Sequence, residues 1–577
     1  MSDLLTLATS NANHWLNSTI DSESKEKIQG LLTSADPKEL IDSFYKNLEF
    51  GTGGLRGIMG VGPNCMNKYT IGIATQGLSN YLLQQIPKKE IKVAIAYDCR
   101  NNSKFFAQTT ADVFSANGIT VYLFPELRPT PLLSFAIRHL GCDSGVVITA
   151  SHNPKEYNGY KAYWSDGAQL VPPHDKNVIA EVNAISSFDK IKFIADPTKI
   201  HTIGPDLEDA YYKEVYQLIP RKERILRQSS ISLVYSSLHG SGITMVPEVL
   251  KRLGFTNVTV IEEQRIPNGD FPTVPSPNPE EHSAMKLALL KAKELHAELV
   301  MATDPDADRV GIAIQDDQHN FFLLNGNQAF SLMMWFILKN LKEVNGTYIA
   351  KTIVTTELVD TMAKHFGVAC YNTLTGFKYI AELMGDLDPK KKFIAAGEES
   401  YGYMVGDFVR DKDAVSACAF FSAMAAAAKD ENQTLYGWLL QMYTDFGFYK
   451  EGLVNLTRKG AEGEQQIKAM MARFRTNPPL RLGGLKVIRA LDYQSREEKN
   501  LVNGAISTLS LPAADVLQFY CEDGSKISVR PSGTEPKIKF YISVNAKLLS
   551  KEDFNKMNQQ LEAKIKAIEN EINEPLS

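Results

Sequence analysis

Ala297-Glu298-Leu299-Val300-Met301-Ala302-Thr303-Asp304-Pro305-Asp306-Ala307-Asp308-Arg309-Val310-Gly311-Ile312-Ala313-Ile314 reads as a buried strand, a short acidic loop and a buried return. Asp304, Asp306 and Asp308 stand on alternate residues, and the guanidinium of Arg309 follows them. Carboxylates at this spacing converge only if the loop curls, and converged anions repel unless a cation sits among them. Strand ends are where α/β folds gather ligands. The loop therefore reads as a site for a hard divalent cation beside a phosphate, with a solvated acidic turn as the plainer alternative. A calcium EF-hand also opens D-x-D-x-D, but it needs Gly sixth and Glu twelfth, where this chain has Arg309 and Gln315.

Outward from that loop, three segments repeat one plan of strand, polar loop, amphipathic helix, glycine and strand. The first runs Lys92 to Tyr97, a helix near Ser103 to Ala116, Gly118, then Ile119 to Leu123. The second runs Ile231 to Tyr235, a helix to Leu253, Gly254, then Val258 to Ile261. The third runs Tyr348 to Val354, a helix to Phe366, Gly367, then Val368 to Tyr371. Glycine after the last helical turn supplies a left-handed stop, and strand-helix-strand order favours parallel pairing with a right-handed crossover. Three occurrences predict three related α/β domains. After about residue 450 the pattern becomes strand-rich. Val516 to Tyr520 and Ile538 to Ile542 bracket a turn at Asp523-Gly524, and an alternating-charge helix follows from Lys551 to Glu571, which predicts a small α+β domain. The expected division is 1–205, with an N-terminal helical extension, then 206–322, 323–447 and 448–577.

At 577 residues the chain exceeds one core, and ~100–200 residues per domain allows three to five domains. The 44% hydrophobic and 22% charged residues are those of an ordinary soluble protein. A net charge of -5 leaves no footprint for nucleic acid or an anionic membrane, so any basic site must be local. Phe330 to Leu338 is too short to span a bilayer, and Met1-Ser2-Asp3-Leu4-Leu5 lacks a basic n-region. Cys65, Cys99, Cys142, Cys370, Cys418 and Cys521 show no paired spacing, which fits reduced thiols and a cytoplasmic location.

Three further loops carry chemistry. Thr149-Ala150-Ser151-His152-Asn153-Pro154 follows an apolar strand, so Ser151 is displayed at a strand end. It can be a nucleophile or part of a plain turn. A hydrolase triad with His152 is a further alternative, but neighbours in an extended loop usually point apart and the G-x-S-x-G elbow is missing. With the acidic loop, Ser151 makes a sharper hypothesis: a serine carrying a phosphoryl group that shares a cation with the three aspartates. Lys161, held near a cation, would have a lowered pKa and could exchange a proton with a hydroxyl, or be a solvated lysine. Gly397-Glu398-Glu399-Ser400-Tyr401-Gly402 offers acceptors and a donor for vicinal hydroxyls, or a helix start. Arg530-Pro531-Ser532-Gly533-Thr534-Glu535-Pro536-Lys537, with Lys539 beyond, is a phosphate cradle without the Walker order, or a Pro/Gly turn.

These four loops resemble, in order and over nearly the whole chain, the phosphoserine, metal, sugar and phosphate loops of the α-D-phosphohexomutases. Glu49-Phe50-Gly51-Thr52-Gly53-Gly54-Leu55-Arg56-Gly57 is similar to the N-terminal loop of the phosphoglucomutase and phosphopentomutase branch. There Arg56 would meet phosphate. Thr375-Gly376-Phe377-Lys378 resembles the family's specificity loop, and Lys412 matches a substrate-contacting lysine.

The resemblance implies a heart-shaped enzyme of three related α/β domains with mixed sheets plus a C-terminal α+β domain. It implies catalysis by Ser151, Lys161, His152 and Arg56. One Mg²⁺ per chain would be held by Ser151, Asp304, Asp306 and Asp308. Substrate would meet Arg309, Thr375, Gly376, Lys378, Glu398, Ser400 and Lys412, and the distal phosphate Arg530, Ser532, Gly533, Thr534 and Lys539. The implied reaction interconverts glucose 1-phosphate and glucose 6-phosphate through a glucose 1,6-bisphosphate intermediate. Mannose and pentose phosphates remain alternatives, as do a non-catalytic sugar-phosphate binder and a metal-free serine esterase. The expected partners are small sugar phosphates, with no nucleic acid or membrane, on a monomer or weak homodimer.

Overall fold

A computed structural model describes residues 2–51, 53–87, 90–457, 460–531 and 537–573. The chain forms two compact units, one of residues 1–326, 377–387 and 393–432, the other of 327–376, 388–392 and 433–577.

The first unit begins with three helices, Ser2–Leu16, Ser22–Thr33 and Lys38–Phe44. Ala8, Ala12, Trp15, Ile28, Leu40 and Phe44 form their own core, which Tyr69 from the next helix joins. The Tyr69 hydroxyl donates to Asp21 Oδ2 at 2.6 Å, so the extension is keyed to the domain behind it by a charge-assisted bond as well as by apolar burial. The first sheet follows, in the order Gly54–Ile58, Tyr157–Trp164, Ser144–Ile148, Lys92–Tyr97, Thr120–Leu123, Ile200–Thr202. Its middle is parallel and its Gly54 edge antiparallel. The expected helix spans Ser103–Ala116, and Gly118 stops it at φ 79°. Gly54 admits no side chain, because a Cβ there would lie 1.9 Å from the Tyr160 carbonyl oxygen.

The second sheet has the order Phe321–Leu323, Val310–Gln315, Leu299–Thr303, Leu233–Ser236, Val258–Val260. Leu299–Thr303 and Val310–Gln315 are antiparallel, with Thr303 opposite Val310, so the acidic loop is the tip of a hairpin. Both strands are almost wholly buried, which explains their unbroken apolar sequences. This unit also holds the pair in which Ala395, Ala396 and Gly397 oppose Val405, Met404 and Tyr403. Next comes the buried helix Ala414–Asp430, whose N-cap Asp413 accepts from Val415 N and Ser416 N.

The second unit contains the parallel pair Thr347–Thr352 and Ala369–Thr373, linked through the helix Leu358–Phe366 and Gly367 at φ 71°. Its C-terminal sheet runs Phe448–Thr457, Lys537–Ala546, Lys526–Pro531, Leu517–Cys521, Leu485–Asp492, Glu497–Asn500, Ile506–Thr508. The helix Phe554–Asn573 covers it with Leu561, Ile565, Ile568 and Ile572, one stripe at helical spacing. Gln518 Nε2 and Lys526 Nζ both donate to the Ile353 carbonyl, at 2.7 and 2.9 Å. The sequence reading of this tail needs one correction. The Asp523-Gly524 turn joins Leu517–Cys521 to Lys526–Pro531, and the strand at Ile538 comes one later. Ser528 and Arg530, both polar, alternate with Ile527 and Val529 and hid a strand whose first four residues, Ser528 among them, are buried.

All six cysteines are free thiols. Among the described residues no helix is long and apolar enough to cross a membrane.

Candidate active site

Ser151 lies three residues beyond the strand Ser144–Ile148, and its φ of 50° puts it in the left-handed region. For a residue with a Cβ this conformation is strained and needs support from its surroundings. Much of that support comes from Arg100. Its guanidinium, fully buried, donates to the carbonyls of Ser151 at 2.5 Å, Pro154 at 2.8 Å and Tyr157 at 3.0 Å, and also to that of Asn153. Asp98 in turn fixes this arginine, with Oδ2 3.4 Å from Nε. The backbone bend also corrects the expectation that Ser151 and His152 point apart. Ser151 Oγ is 3.1 Å from His152 Nδ1, because the left-handed turn brings successive side chains to one side.

Ser151 Oγ donates to Asp304 Oδ2 at 2.7 Å, across 153 residues of sequence. Asp304 Oδ1 accepts from the backbone N–H groups of Asp308 and Arg309, both at 3.1 Å, which curls the loop and turns the carboxylates together. Ala307 takes φ 50° at the bend. The three carboxylates offer ligand atoms within 4.8 Å of one another, and all three residues are buried. Thr130 Oγ1 donates to Asp306 Oδ2 at 2.8 Å, as does Lys161 Nζ at 2.8 Å. Lys412 Nζ lies 3.2 Å from Asp308 Oδ2 and 2.9 Å from Asp411 Oδ1.

This arrangement fits a divalent cation. Asp306 Oδ1 and Asp308 Oδ1 are buried with no hydrogen-bond partner among the described residues. Buried anionic oxygens left in that state are costly, and a hard cation that takes oxygen ligands is the chemistry that satisfies them.

The electrostatics follow from crowding. Burial, then Asp306 and Asp308, push the Asp304 carboxyl well above its usual range. Burial also acts to raise Asp308, but Lys412, Lys161 and Arg309 outweigh it and hold that carboxylate low. Burial and the cations Arg309 and Arg56 press His152 well below its ordinary value, so its imidazole is neutral at physiological pH. Lys161 departs from expectation. Burial lowers it, yet Asp306 and Asp308 more than reverse that and raise its pKa, because their charge reaches the ammonium directly.

Arg56, on the strand Gly54–Ile58, donates to Asn153 Oδ1 at 3.1 Å at the rim of the serine loop. Arg309 is bound to Glu280 Oε1 at 2.6 Å. Glu398 follows the strand Lys392–Gly397 and is buried, and its charge acts on both Lys412 and Arg309. Ser400 is two residues further along the same loop. Lys378 lies in the first unit, where burial lowers its pKa despite Asp175 and Glu382. The first unit thus gathers Ser151, His152, Lys161, Arg56, the three aspartates, Arg309, Glu398 and Lys412. Thr375, Gly376, Arg530 and Lys539 belong to the second unit, in which Arg530 and Lys539 are cross-strand neighbours. Ser532, Gly533 and Thr534 lie outside the described residues.

Sequence reasoning missed Arg100, Thr130, Glu280 and Asp411. The available signal for Arg100 was Asp98-Cys99-Arg100 directly after the strand Lys92–Tyr97, a polar run at a parallel strand's carboxyl end.

Three sequence models match the chain: Phosphoglucomutase/phosphomannomutase alpha/beta/alpha domain I over residues 47–189, domain II over 209–317 and domain III over 325–446. The chain belongs to this phosphohexomutase family. A phosphoglucomutase of Staphylococcus haemolyticus is 36% identical over 518 residues, covering 90% of this chain and 93% of its own. One of Staphylococcus aureus strain MRSA252 is 36% identical over 562 residues, covering 97% and 99%. Among solved structures, the Paramecium exocytosis-sensitive phosphoprotein pp63/parafusin is 18% identical, with a TM-score of 0.67 over 92% of this chain and 97% of its own. A phosphoglucomutase/phosphomannomutase family protein of Burkholderia thailandensis is 17% identical, with a TM-score of 0.63 over 89% and 97%. These two structures establish that the phosphohexomutase fold is shared.

Proposed function

We propose that this chain is a phosphoglucomutase, interconverting glucose 1-phosphate and glucose 6-phosphate through a phosphoserine at Ser151 and a glucose 1,6-bisphosphate intermediate. The observation that carries the reading is the 2.7 Å hydrogen bond from Ser151 Oγ to Asp304, beside two buried carboxylate oxygens without partners. The glucose assignment rests on curated phosphoglucomutases at 36% identity over almost the whole chain.

In the proposed reaction a sugar hydroxyl oxygen bonds to the phosphorus on Ser151 as the Ser151 oxygen leaves. The bisphosphate turns over, and its other phosphate returns to Ser151, so bonds made and broken balance across the cycle. The hydroxyl's proton must go to a base and return to the serine oxygen. Lys161 is assigned to the sugar side of that exchange, where a cation bound by Asp306 and Asp308 would offset the carboxylate charge that raises its pKa and free it to take the proton, while neutral His152, 3.1 Å from Ser151 Oγ, lies on the serine side. One Mg²⁺ per chain, held by Ser151, Asp304, Asp306 and Asp308, would neutralise charge on the phosphoryl oxygens. Arg100 keeps the serine loop in its bent form, and Arg56 and Arg309 supply guanidinium donors for phosphate.

Glu398, Ser400 and Lys412, with Thr375, Gly376 and Lys378, are assigned to the sugar. Arg530, Ser532, Gly533, Thr534 and Lys539 are assigned to the distal phosphate. These roles divide over segments 1–205, 206–322, 323–447 and 448–577.

The test is a coupled assay with Mg²⁺ on glucose 1-phosphate, mannose 1-phosphate and ribose 1-phosphate. The proposal expects the highest kcat/KM on glucose 1-phosphate, and a preference for either other sugar would replace it with the corresponding mutase.

A further inference from the structure

Away from the catalytic loops, the first unit holds a cleft of about 660 Å³ between the N-terminal helices and the first α/β domain. That volume lies within the range of small-molecule sites, roughly 300–1,000 Å³. The apolar part of its lining is its less exposed part, with Leu55 buried and Leu48, Ile73 and Val182 half-buried. Trp15 and Phe188 also line it, their ring centroids 5.0 Å apart and nearly perpendicular. Around the rim stand the exposed carboxamides of Asn17, Asn47 and Asn183 with the hydroxyl of Ser186.

The charge of this lining restricts what can bind. Among the described residues no lysine or arginine lines it, and His14 is its one basic side chain, so it lacks the guanidinium and ammonium donors that the catalytic loops offer a phosphate. Its one carboxylate among the described residues, Asp189, is already engaged by the hydroxyls of Thr19 at 2.6 Å and Ser187 at 3.1 Å. Carboxamides both donate and accept, which matches hydroxyl groups that do the same. An apolar lining inside such a rim matches a molecule with one apolar face and many hydroxyls. Leu55 also separates the cleft from the catalytic loops. It is adjacent to Arg56 in the strand Gly54–Ile58, and successive strand side chains point to opposite faces.

We infer that this cleft is a second binding site, distinct from the sugar-phosphate site, for an uncharged polyhydroxylated molecule of the sugar class. Saturation-transfer NMR on the full chain with trehalose, glucose and adenosine as probes tests it, each with and without saturating glucose 1-phosphate. The expected result is transfer to trehalose or glucose that survives glucose 1-phosphate and is lost in Asn183→Trp, which fills the cleft. Should that variant not fold, Asn17→Ala and Asn47→Ala, both exposed, should each weaken binding by about fivefold. No transfer to either sugar, or transfer abolished by glucose 1-phosphate, overturns the second site. Transfer to adenosine alone overturns the sugar class.

Discussion

Ser151 Oγ and Asp304 Oδ2 are 2.7 Å apart, although 153 residues of chain separate them. One belongs to the first sheet's serine loop and the other to the second sheet's hairpin tip, so the nucleophile and the cation site are assembled from two domains. A serine so placed is held by a carboxylate that a cation can share. Ser151→Ala should therefore abolish mutase turnover while leaving the fold intact. Intact-protein mass spectrometry of active wild type should find one phosphate, mapped to Ser151. Stable phosphate on another residue of the active form would contradict the assignment.

Asp306→Asn removes one anionic ligand and keeps the loop's size. Activity should fall by about two or more orders of magnitude and require more Mg²⁺. Titrating Mg²⁺ against activity checks this, and full wild-type activity in excess EDTA would refute the metal role.

Lys161 forms an ion pair with Asp306 at 2.8 Å, and the carboxylates raise its pKa. Lys161→Met should cut kcat much more than it raises KM if the lysine trades a proton with the reacting hydroxyl. A change confined to KM would make it a binding residue.

Arg100→Lys keeps the charge but loses the planar fork that spans four carbonyls of the serine loop. Displacing a reacting group by about 1 Å can cost ~100-fold, so kcat should fall between about ten- and a hundredfold with KM for glucose 1-phosphate nearly unchanged. Phosphorylation of Ser151 by glucose 1,6-bisphosphate should slow by the same factor. An unaltered rate of that half-reaction would reduce Arg100 to a structural residue.

Glu451 in the second unit supplies a pH prediction. Its Oε1 is buried without a partner among the described residues, and burial raises its pKa from 4.5 to about 7. A carboxyl that holds its proton more tightly when folded stabilises the fold most below its unfolded pKa. That contribution is lost as pH rises from about 4.5 to about 7. The loss should amount to no more than about 3 kcal/mol. Glu451→Gln should flatten the stability profile across that window, as measured by denaturant unfolding at several pH values. An unchanged slope would mean the carboxylate is solvated in the folded state.

Much of this protein could be read from short windows of its sequence. The apolar strands around Asp304, the helix Ser103–Ala116 and the glycine stops at Gly118, Gly254 and Gly367 follow from local periodicity and from backbone conformations that few residues adopt. The chemical nature of the four loops was also legible, because three alternating aspartates or a serine at a strand end carry their chemistry in their own side chains. Only the tertiary structure decided what meets what. Arg100 looked like any polar residue until sheet order placed it under the serine loop, and Thr130 and Lys412 reached the aspartates from 176 and about a hundred residues away. The left-handed Ser151 turned His152 toward its own hydroxyl, against the expectation for an extended loop. Lys161 gained rather than lost basicity because two buried carboxylates lie against it. Each of these outcomes depends on burial and on distances between remote segments, which a local pattern of residues does not encode.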